Sequence, residues 1–508
     1  MPSVNSPPAI AGALFLALAA SPLAAQQQDH PPVDALVPKI DALVERAFAL
    51  GLTPALGVAV VVDGSTVYER ALGWADATRG IPATPQTLWY VASTSKSFIG
   101  FGVALLEAEG ALDLSAPITG IIPRARWHPD AHPEELTLAS FLAHTHGLSG
   151  MGPVVINAAF TGAVEESRWP KLLAYHVPTG SRALQYSNLG YNVAAMAVDA
   201  VRPEGWKAYL KRAVYEPAGM RDTYTHVTGL DDRRIAKPHR VPSAGEYTAL
   251  PFEKRDVTMN AAGGHLATLG DLARWITVHM DDGILDGRRV FPAAVVRRSH
   301  EILGRQDRTF AFFQRDGWGF GWDIGRYEDE PMISRFGGYA SFRSHISFLP
   351  ERRVGVVAQT NGGPGGTLTD IIAAYVYDLA AARPDADRRA EQRLRDAVTG
   401  FARAQASAAE DRERRVARQQ PLPHPLADYA GTFESPALGT MHWRAEGDSL
   451  SLRWGVLAPQ VEVYEAEANQ LRLQLPGVGV VVEFEFSDDG PATAIRLQEY
   501  VLARVRSR

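Results

Sequence analysis

The residues with the clearest chemical potential are a serine and a lysine three positions apart, Ser93 and Lys96, at the start of a predicted helix. Residues i and i+3 of a helix lie one turn apart on the same face, so their side chains can meet. A serine hydroxyl needs a base to become a nucleophile, and a lysine becomes a base when burial or nearby positive charge lowers its pKa. The pair therefore indicates nucleophilic catalysis, although a helix-capping serine beside a solvated lysine has the same spacing.

A second pair, Tyr186 and Asn188, follows a turn signal at Pro178-Thr179-Gly180. A tyrosine can carry a proton between a nucleophile and a leaving group. An asparagine amide can hold a lysine and a substrate carbonyl by hydrogen bonds. We expect two-step acyl transfer on Ser93, with either Lys96 or Tyr186 as the base, because the titrations of two groups in contact are coupled.

In chain order, the Ser-x-x-Lys pair, the Tyr-x-Asn pair and the glycines Gly337-Gly338 resemble the motifs of the serine β-lactamase and penicillin-binding-protein superfamily. The Tyr-x-Asn form is similar to the class C β-lactamase branch, with its D,D-peptidases and family VIII esterases. The stretch LAHTHGL at 142–148 resembles that branch's L-x-H-T-S-G-L, and AGG at 262–264 followed by DLA at 271–273 resembles its A-G-G…D-L-A segment. The resemblance covers about residues 35–382. It implies Ser93, Lys96 and Tyr186 as catalytic residues.

The third motif departs from the family pattern, which places Lys or His ahead of a strand glycine. Here the string at 334–339 is SRFGGY, and two registers are possible. With Phe336 at the basic position, the cation that pairs with a substrate carboxylate is lost, as in the W-G-G string of family VIII esterases. With Arg335 there, the cation remains. The following string SFRS at 341–344, similar to G-F-x-S, favours Phe336 and therefore neutral esters or amides, although Arg343 could partly replace the charge.

The resemblance also implies a set of residues that bind or orient substrate. Its members are Asn188, Phe336, Gly337, Gly338, Tyr339 and Arg343. The oxyanion hole would use the backbone N–H of Ser93 and of one strand residue, which is Tyr339 in the first register and Gly338 in the second.

Three other functions compete with an esterase-like hydrolase. A β-lactamase or D-alanyl-D-alanine carboxypeptidase would use the same motifs, and a catalytically silent homologue would keep the fold for binding. A zinc hydrolase could use His144 and His146, or His128 and His132, but no Asp-His follows the first pair and prolines interrupt the second. We expect no metal and no other cofactor.

The pattern of apolar residues and turn signals also predicts the helices and strands that must position these residues. A helix at Val33–Leu50 precedes a hairpin whose strands flank Asp63-Gly64. A mostly helical middle follows, then strands at Trp318–Ile324, His345–Leu349 and Val354–Gln359 and a closing helix. Strands from both chain ends predict an α/β (α+β) fold of the β-lactamase/transpeptidase type, an antiparallel sheet flanked by helices with a helical insertion.

The domain organisation is predicted as four parts. Residues 1–25 form a signal peptide, with an apolar run of eleven at Ile10–Ala20. Residues 33–382 form the hydrolase domain, 383–425 a charged helical linker, and 426–508 a small all-β accessory domain of short alternating segments. Export predicts a periplasmic or secreted protein with no membrane insertion after cleavage.

Composition and net charge limit the chemistry and the binding partners that we expect. The 508 residues include no cysteine, which excludes disulfides and a cysteine nucleophile. A net charge of −6 gives no nucleic-acid footprint. The expected partner is a small-molecule or peptide substrate, and the sequence specifies no oligomeric state.

Overall fold

The computed structural model describes residues 30–505, apart from 151, 253, 476, 477, 488 and 489. The predicted signal peptide lies outside the described residues. The longer helices are α1 Val33–Ala49, α2 Ser95–Ala108, α3 Asn188–Val201, α4 Leu269–Met280, α5 Ala293–Ser299, α6 Gly365–Ala380 and α7 Ala386–Ala417. Short helices occupy Ile118–Ile121, Leu138–Leu142, Pro153–Val155, Trp169–Leu172, Gly205–Leu210 and Leu426–Tyr429.

One antiparallel sheet is built from both ends of the first 382 residues, as the sequence predicts. Its strands are β1 Ala55–Val62, β2 Ser65–Asp76, β3 Ile81–Pro82, β4 Gly304–Phe310, β5 Phe313–Trp318, β6 Asp323–Tyr327, β7 Glu330–Tyr339, β8 Phe342–Leu349 and β9 Val354–Thr360. Within the described residues their spatial order is β4-β5-β6-β7-β8-β9-β1-β2-β3. The predicted fold class is therefore confirmed.

Burial explains why β1 lies inside this sheet, between β9 and β2. Its apolar run is buried at every position, as expected for a strand covered on both faces. Helices α1 and α6 pack on one face, and α4 packs on the other. Asp63 and Gly64 have φ angles of 50° and 79°, and two left-handed residues form the tight turn that joins β1 to β2.

The strand predicted across Trp318–Ile324 is wrong in its bounds, because two strands meet there. β5 ends at Trp318 and β6 begins at Asp323. The link between them turns at Gly321, whose φ is 89°. A Cβ at Gly321 would lie 2.2 Å from the backbone oxygen of Lys96, so the chain leaves the sheet here to pack against the start of α2.

Beyond the sheet, the 32-residue helix α7 leads to a second antiparallel sheet. Its strands are β10 Gly431–Ser435, β11 Gly439–Glu446, β12 Ser449–Trp454, β13 Gln460–Glu465, β14 Gln470–Leu475, β15 Val478–Glu485, β16 Ala494–Leu497 and β17 Tyr500–Arg504. Residues 426–505 are called the C-terminal β domain below. None of the helices in the described part of the chain is both long and apolar enough to cross a bilayer.

Candidate active site

The candidate nucleophile lies in a sharp turn at the edge of the hydrophobic core. Ala92 has a φ of 46°, and the single turn Ala92–Thr94 leads into α2. Ser93 therefore precedes the helix, whereas the sequence predicted that it begins the helix. Ser93 is 8% exposed and Lys96, one turn later, is fully buried.

Lys96 Nζ donates three hydrogen bonds, and together they aim the amine at Ser93. The acceptors are Ser93 Oγ at 3.1 Å, Asn188 Oδ1 at 2.8 Å and the Ala262 carbonyl at 2.7 Å. Burial lowers the pKa of Lys96 to about 8; Tyr186 opposes this shift and the charge of Arg335 adds to it. A lysine with this pKa is partly neutral near neutral pH, as a general base requires.

Tyr186 lies on the other side of the nucleophile. Its hydroxyl donates to Ser93 Oγ at 2.7 Å. Burial raises the pKa of Tyr186, but the charges of Lys96 and Arg335, together with hydrogen bonds with Lys96 and Ser93, bring the pKa down to about 8. Ser93 Oγ thus has two potential proton acceptors in direct contact, so the predicted serine, lysine and tyrosine come together as one cluster.

The structure corrects the register that the sequence favoured for the third motif. Arg335 is 3% exposed and points into the cluster, where Nη2 donates to the Tyr186 hydroxyl at 3.0 Å and Nε to the Ser93 carbonyl at 2.9 Å. Phe336 points to the opposite face of β7, with its ring centroid 4.7 Å from that of His345. Successive strand residues face opposite sides, so Arg335, not Phe336, holds the basic position.

The glycines and the arginine after Arg335 shape the surroundings of the nucleophile. A Cβ at Gly337 would lie 2.1 Å from the Val91 carbonyl, so only glycine allows β7 to lie this close to the nucleophile turn. Gly338 pairs across the strands with Arg343. Tyr339 packs against other aromatic rings at the end of β7.

A cleft of about 730 Å³ opens from Ser93 and extends past Phe336 to the start of α6. Its lining carries more positive than negative charge. The charged lining residues are Arg308, Arg315, Arg335, Arg343 and Asp370. Asp370 accepts a hydrogen bond from His345 at 2.8 Å, and Arg343 makes no ion pair within the described residues.

The arginines Arg315 and Arg335 share one carboxylate. Arg335 Nη1 lies 3.2 Å from Asp323 Oδ2, and Arg315 Nε lies 3.5 Å from Oδ1 of the same side chain. Two guanidinium groups against one carboxylate leave an excess positive charge beside Ser93. Such an excess favours a negatively charged group in the cleft.

Of the four histidines considered as zinc ligands, His144 and His146 make separate contacts. His144 Nδ1 accepts the backbone N–H of Ser187 at 3.2 Å, and its ring packs 4.8 Å from Tyr186. His146 Nδ1 accepts the N–H of Leu148 at 3.1 Å. Burial, together with the charges of Lys96 and His146, holds the pKa of His144 well below its usual value. Both rings act as buried packing and hydrogen-bonding groups behind the cluster.

Two participants were not assigned from the sequence. The Ala262 carbonyl holds Lys96, and only the AGG string at 262–264 marked that segment. Asp323 orients Arg335, and no local motif marks Asp323, because the contact joins two adjacent strands whose pairing is set by the sheet.

Comparison with known proteins gives the class to which this fold and cluster correspond. The model of the beta-lactamase family matches residues 40–381, so the chain belongs to the beta-lactamase family, whose members are generally serine hydrolases.

Two curated relatives are distant. Penicillin-binding protein 4 of Amycolatopsis lactamdurans is 24% identical over 345 residues, which cover 65% of this chain and 87% of that protein. Protein flp of Staphylococcus aureus is 21% identical over 330 residues, 64% of this chain and 62% of that protein.

Solved structures show the same fold. The octameric penicillin-binding protein homologue from Pyrococcus abyssi has a TM-score of 0.59 at 19% identity, over 92% of this chain and 100% of that one. SurE has a TM-score of 0.56 at 18% identity, over 93% of this chain and 100% of that one.

Proposed function

We propose that the protein is an acyl-transferring serine hydrolase that cleaves an ester or amide through a covalent intermediate on Ser93. The observation that carries this proposal is the contact of Ser93 Oγ with both Lys96 Nζ, at 3.1 Å, and the Tyr186 hydroxyl, at 2.7 Å. Two groups with pKa values of about 8 on one hydroxyl can take its proton and return it.

In the first step Ser93 Oγ attacks the substrate carbonyl carbon while its proton passes to the Lys96–Tyr186 pair. The pair then protonates the leaving alcohol or amine, and the acyl group stays on Ser93. In the second step a water molecule gives a proton to the same pair and attacks the acyl carbonyl. The acid product leaves, and the proton returns to Ser93 Oγ.

The developing oxyanion needs two backbone donors. With Arg335 at the basic position, the strand donor is the N–H of Gly338, together with the N–H of Ser93. A single such donor is worth about 2.7–4 kcal/mol of barrier. Gly337 supports this assignment, because its lack of a side chain lets β7 lie against the nucleophile turn.

The substrate class follows from charge. The preference for neutral esters depended on Phe336 at the basic position, and Arg335 lies there instead. We therefore favour a substrate with an anionic group close to the scissile bond, as in penicillins or a D-alanyl-D-alanine peptide, over a neutral ester. A charge-assisted hydrogen bond to such a group is worth about 1.5–3 kcal/mol. The predicted signal peptide supports an activity in the periplasm or outside the cell.

Two experiments test the proposal. A fluorophosphonate probe should label the wild type and leave Ser93→Ala unlabelled; equal labelling of the two would overturn the acyl-enzyme hypothesis. Turnover of nitrocefin and a D-alanyl-D-alanine peptide should then be compared with that of p-nitrophenyl acetate and butyrate. Rapid hydrolysis of the neutral esters alone would contradict the anionic preference and favour the esterase alternative.

A further inference from the structure

A short connecting segment, residues 152–164, lies between the C-terminal β domain and the candidate active site; we call it the bridging segment. It contains the helix Pro153–Val155 and one wide helical turn, Ile156–Phe160. Asn157, Ala159 and Thr161 are 3%, 1% and 0% exposed. Connecting segments normally run over the surface, because their backbone polar groups need partners. Here the partners come from two sides.

Two turns of the C-terminal β domain hold the outer side of the bridging segment. Asn157 Nδ2 donates to the Ala437 carbonyl at 2.9 Å. The backbone N–H of Val456 donates to the Thr161 carbonyl at 2.8 Å. Gly455 has a φ of 60°, and a Cβ there would lie 2.3 Å from the Thr161 oxygen, so a glycine is required at this approach.

The inner side of the bridging segment contacts the turn that holds Lys96. The Ala159 carbonyl accepts the N–H of Met259 at 2.7 Å. Met259 and Asn260 have φ angles of 60° and 44°, and non-glycine residues keep such angles only where surrounding contacts impose them. Their turn ends at Ala262, whose carbonyl accepts from Lys96 Nζ at 2.7 Å.

A second inner contact reaches the end of β7, next to the cleft. The Phe160 ring stacks on Tyr339, with centroids 4.5 Å apart and planes 15° apart. Tyr339 follows Gly338, the proposed oxyanion donor. The bridging segment therefore touches the surroundings of both the base and the oxyanion hole.

We propose that the C-terminal β domain is a positioning element of the active site, and that it acts through Asn157, which holds the bridging segment so that the Ala262 carbonyl stays on Lys96. This inference rests on the proposed function. It assigns Asn157 as a positioning residue, because its amide donates to the Ala437 carbonyl and its side chain is not part of the lining of the cleft at Ser93.

Displacement of the Ala262 carbonyl should change the pKa of Lys96 in one direction. A hydrogen bond to the charged form of a group favours that form, so a displaced Ala262 carbonyl lowers the pKa of the Lys96 ammonium further and leaves the amine less well aimed. The other titratable groups that face Lys96 are Tyr186, Tyr191, His144 and Arg335.

The test compares two hydrogen bonds that both join the C-terminal β domain to the preceding part of the chain. Asn157→Leu keeps the branching of the side chain, with two methyl groups in place of the amide oxygen and nitrogen, and removes the bond to Ala437. Tyr500→Phe, the matched control, removes the bond from the Tyr500 hydroxyl to the Tyr175 carbonyl, which measures 2.7 Å. The rate constant of fluorophosphonate labelling is measured against pH for the full chain. Thermal unfolding is recorded for each variant, and Asn157→Ser replaces Asn157→Leu if the latter does not fold.

We expect labelling of Asn157→Leu to slow by about tenfold, or about 1.4 kcal/mol, with the midpoint of its acidic limb at lower pH. Tyr500→Phe should keep the wild-type rate within about twofold and the same midpoint, because the half-buried bond that it removes does not contact the bridging segment. The inference would be overturned if the labelling rate of Asn157→Leu followed that of the wild type at every pH. It would also be overturned if both variants lost the same labelling rate while the midpoints of their pH profiles stayed unchanged. A wild type that does not label would overturn the proposed function itself, which separates the two failures.

Discussion

Arg335 Nη2 donates a hydrogen bond to the Tyr186 hydroxyl at 3.0 Å, while Nε of the same guanidinium donates to the Ser93 carbonyl at 2.9 Å. One side chain thus ties the candidate proton carrier to the nucleophile turn. Its charge also lowers the pKa of both Lys96 and Tyr186. The chemistry of the cluster depends on this residue in ways that can be measured.

Removal of this charge should shift the pH dependence of the reaction. In Arg335→Met the pKa values of Lys96 and Tyr186 should rise from about 8, because a nearby positive charge favours the neutral amine and the phenolate. The labelling rate of Ser93 should then rise at higher pH than in the wild type and fall by about a hundredfold at pH 7. Arg335→Lys, the charge-conserving control, should keep most of the rate; an unmoved midpoint in Arg335→Met would contradict the assignment.

The wild-type rate itself should depend on pH. Lys96 and Tyr186 must accept a proton from Ser93, and both have pKa values of about 8. The labelling rate should therefore increase as pH rises through about 8 and level off above it, with a midpoint that belongs to the coupled pair. Stopped-flow labelling across this range provides the measurement. A rate that stays constant from about pH 6 to 9 would show that neither group is the base.

Gly337 and Gly338 provide a matched pair of substitutions. In Gly337→Ala the new Cβ would lie 2.1 Å from the Val91 carbonyl, so β7 must move away from the nucleophile. In Gly338→Ala the nearest atom is Nη1 of the flexible Arg343 side chain, at 3.1 Å. We expect Gly337→Ala to lose at least about a hundredfold in kcat/KM, comparable with loss of an oxyanion donor. Gly338→Ala should lose much less, and similar losses in both would argue against the close approach.

Arg343 should discriminate between substrates by charge. Its guanidinium lines the cleft and makes no ion pair within the described part of the chain. In Arg343→Met we expect KM for nitrocefin or an anionic peptide to rise by about tenfold or more, since a charge-assisted bond is lost. Hydrolysis of p-nitrophenyl acetate should stay within about twofold. Equal effects on the anionic and the neutral substrate would show that Arg343 does not contact the anionic group.

A second serine, Ser347, has a histidine and an aspartate arranged as in a Ser-His-Asp triad, but its hydroxyl should be unreactive. Ser347 Oγ lies 2.6 Å from His345 Nε2, and His345 Nδ1 lies 2.8 Å from Asp370 Oδ1. Ser347 is fully buried, so a substrate cannot reach it. Ser347→Ala should keep wild-type labelling and lose about 1 kcal/mol of stability from the broken hydrogen bonds. Loss of labelling in Ser347→Ala, with Ser93→Ala still labelled, would reverse the assignment of the nucleophile.

Much of the site was predictable because its signals are local. Ser93 and Lys96 are three residues apart where the chain enters α2, and Tyr186 and Asn188 are two residues apart where it enters α3, so a short motif marked each pair. The sheet was predictable for a similar reason. The apolar run of β1 and the Asp63-Gly64 turn specify a buried hairpin without reference to the rest of the chain.

The third motif was not predictable from local signals. In a strand, a shift of one residue moves every side chain to the other face, and SRFGGY reads equally well in either register. The deciding contacts come from distant parts of the chain: the Val91 carbonyl excludes a side chain at Gly337, and the Ser93 carbonyl and the Tyr186 hydroxyl accept hydrogen bonds from Arg335. Tertiary packing therefore placed Arg335 at the basic position.

The amino-acid sequence by itself indicated Ser93, Lys96 and Tyr186 as candidate site residues and predicted the class of fold that carries them. The residues follow from short motifs, and the fold class follows from local hydrophobic patterning. Only the tertiary structure decided which residue of β7 faces the nucleophile, and that the C-terminal β domain reaches the active site through residues 152–164. Both depend on contacts between segments far apart in the chain, as between Val91 and Gly337 or between Asn157 and Ala437, and such contacts form only when the whole sheet and both domains have assembled.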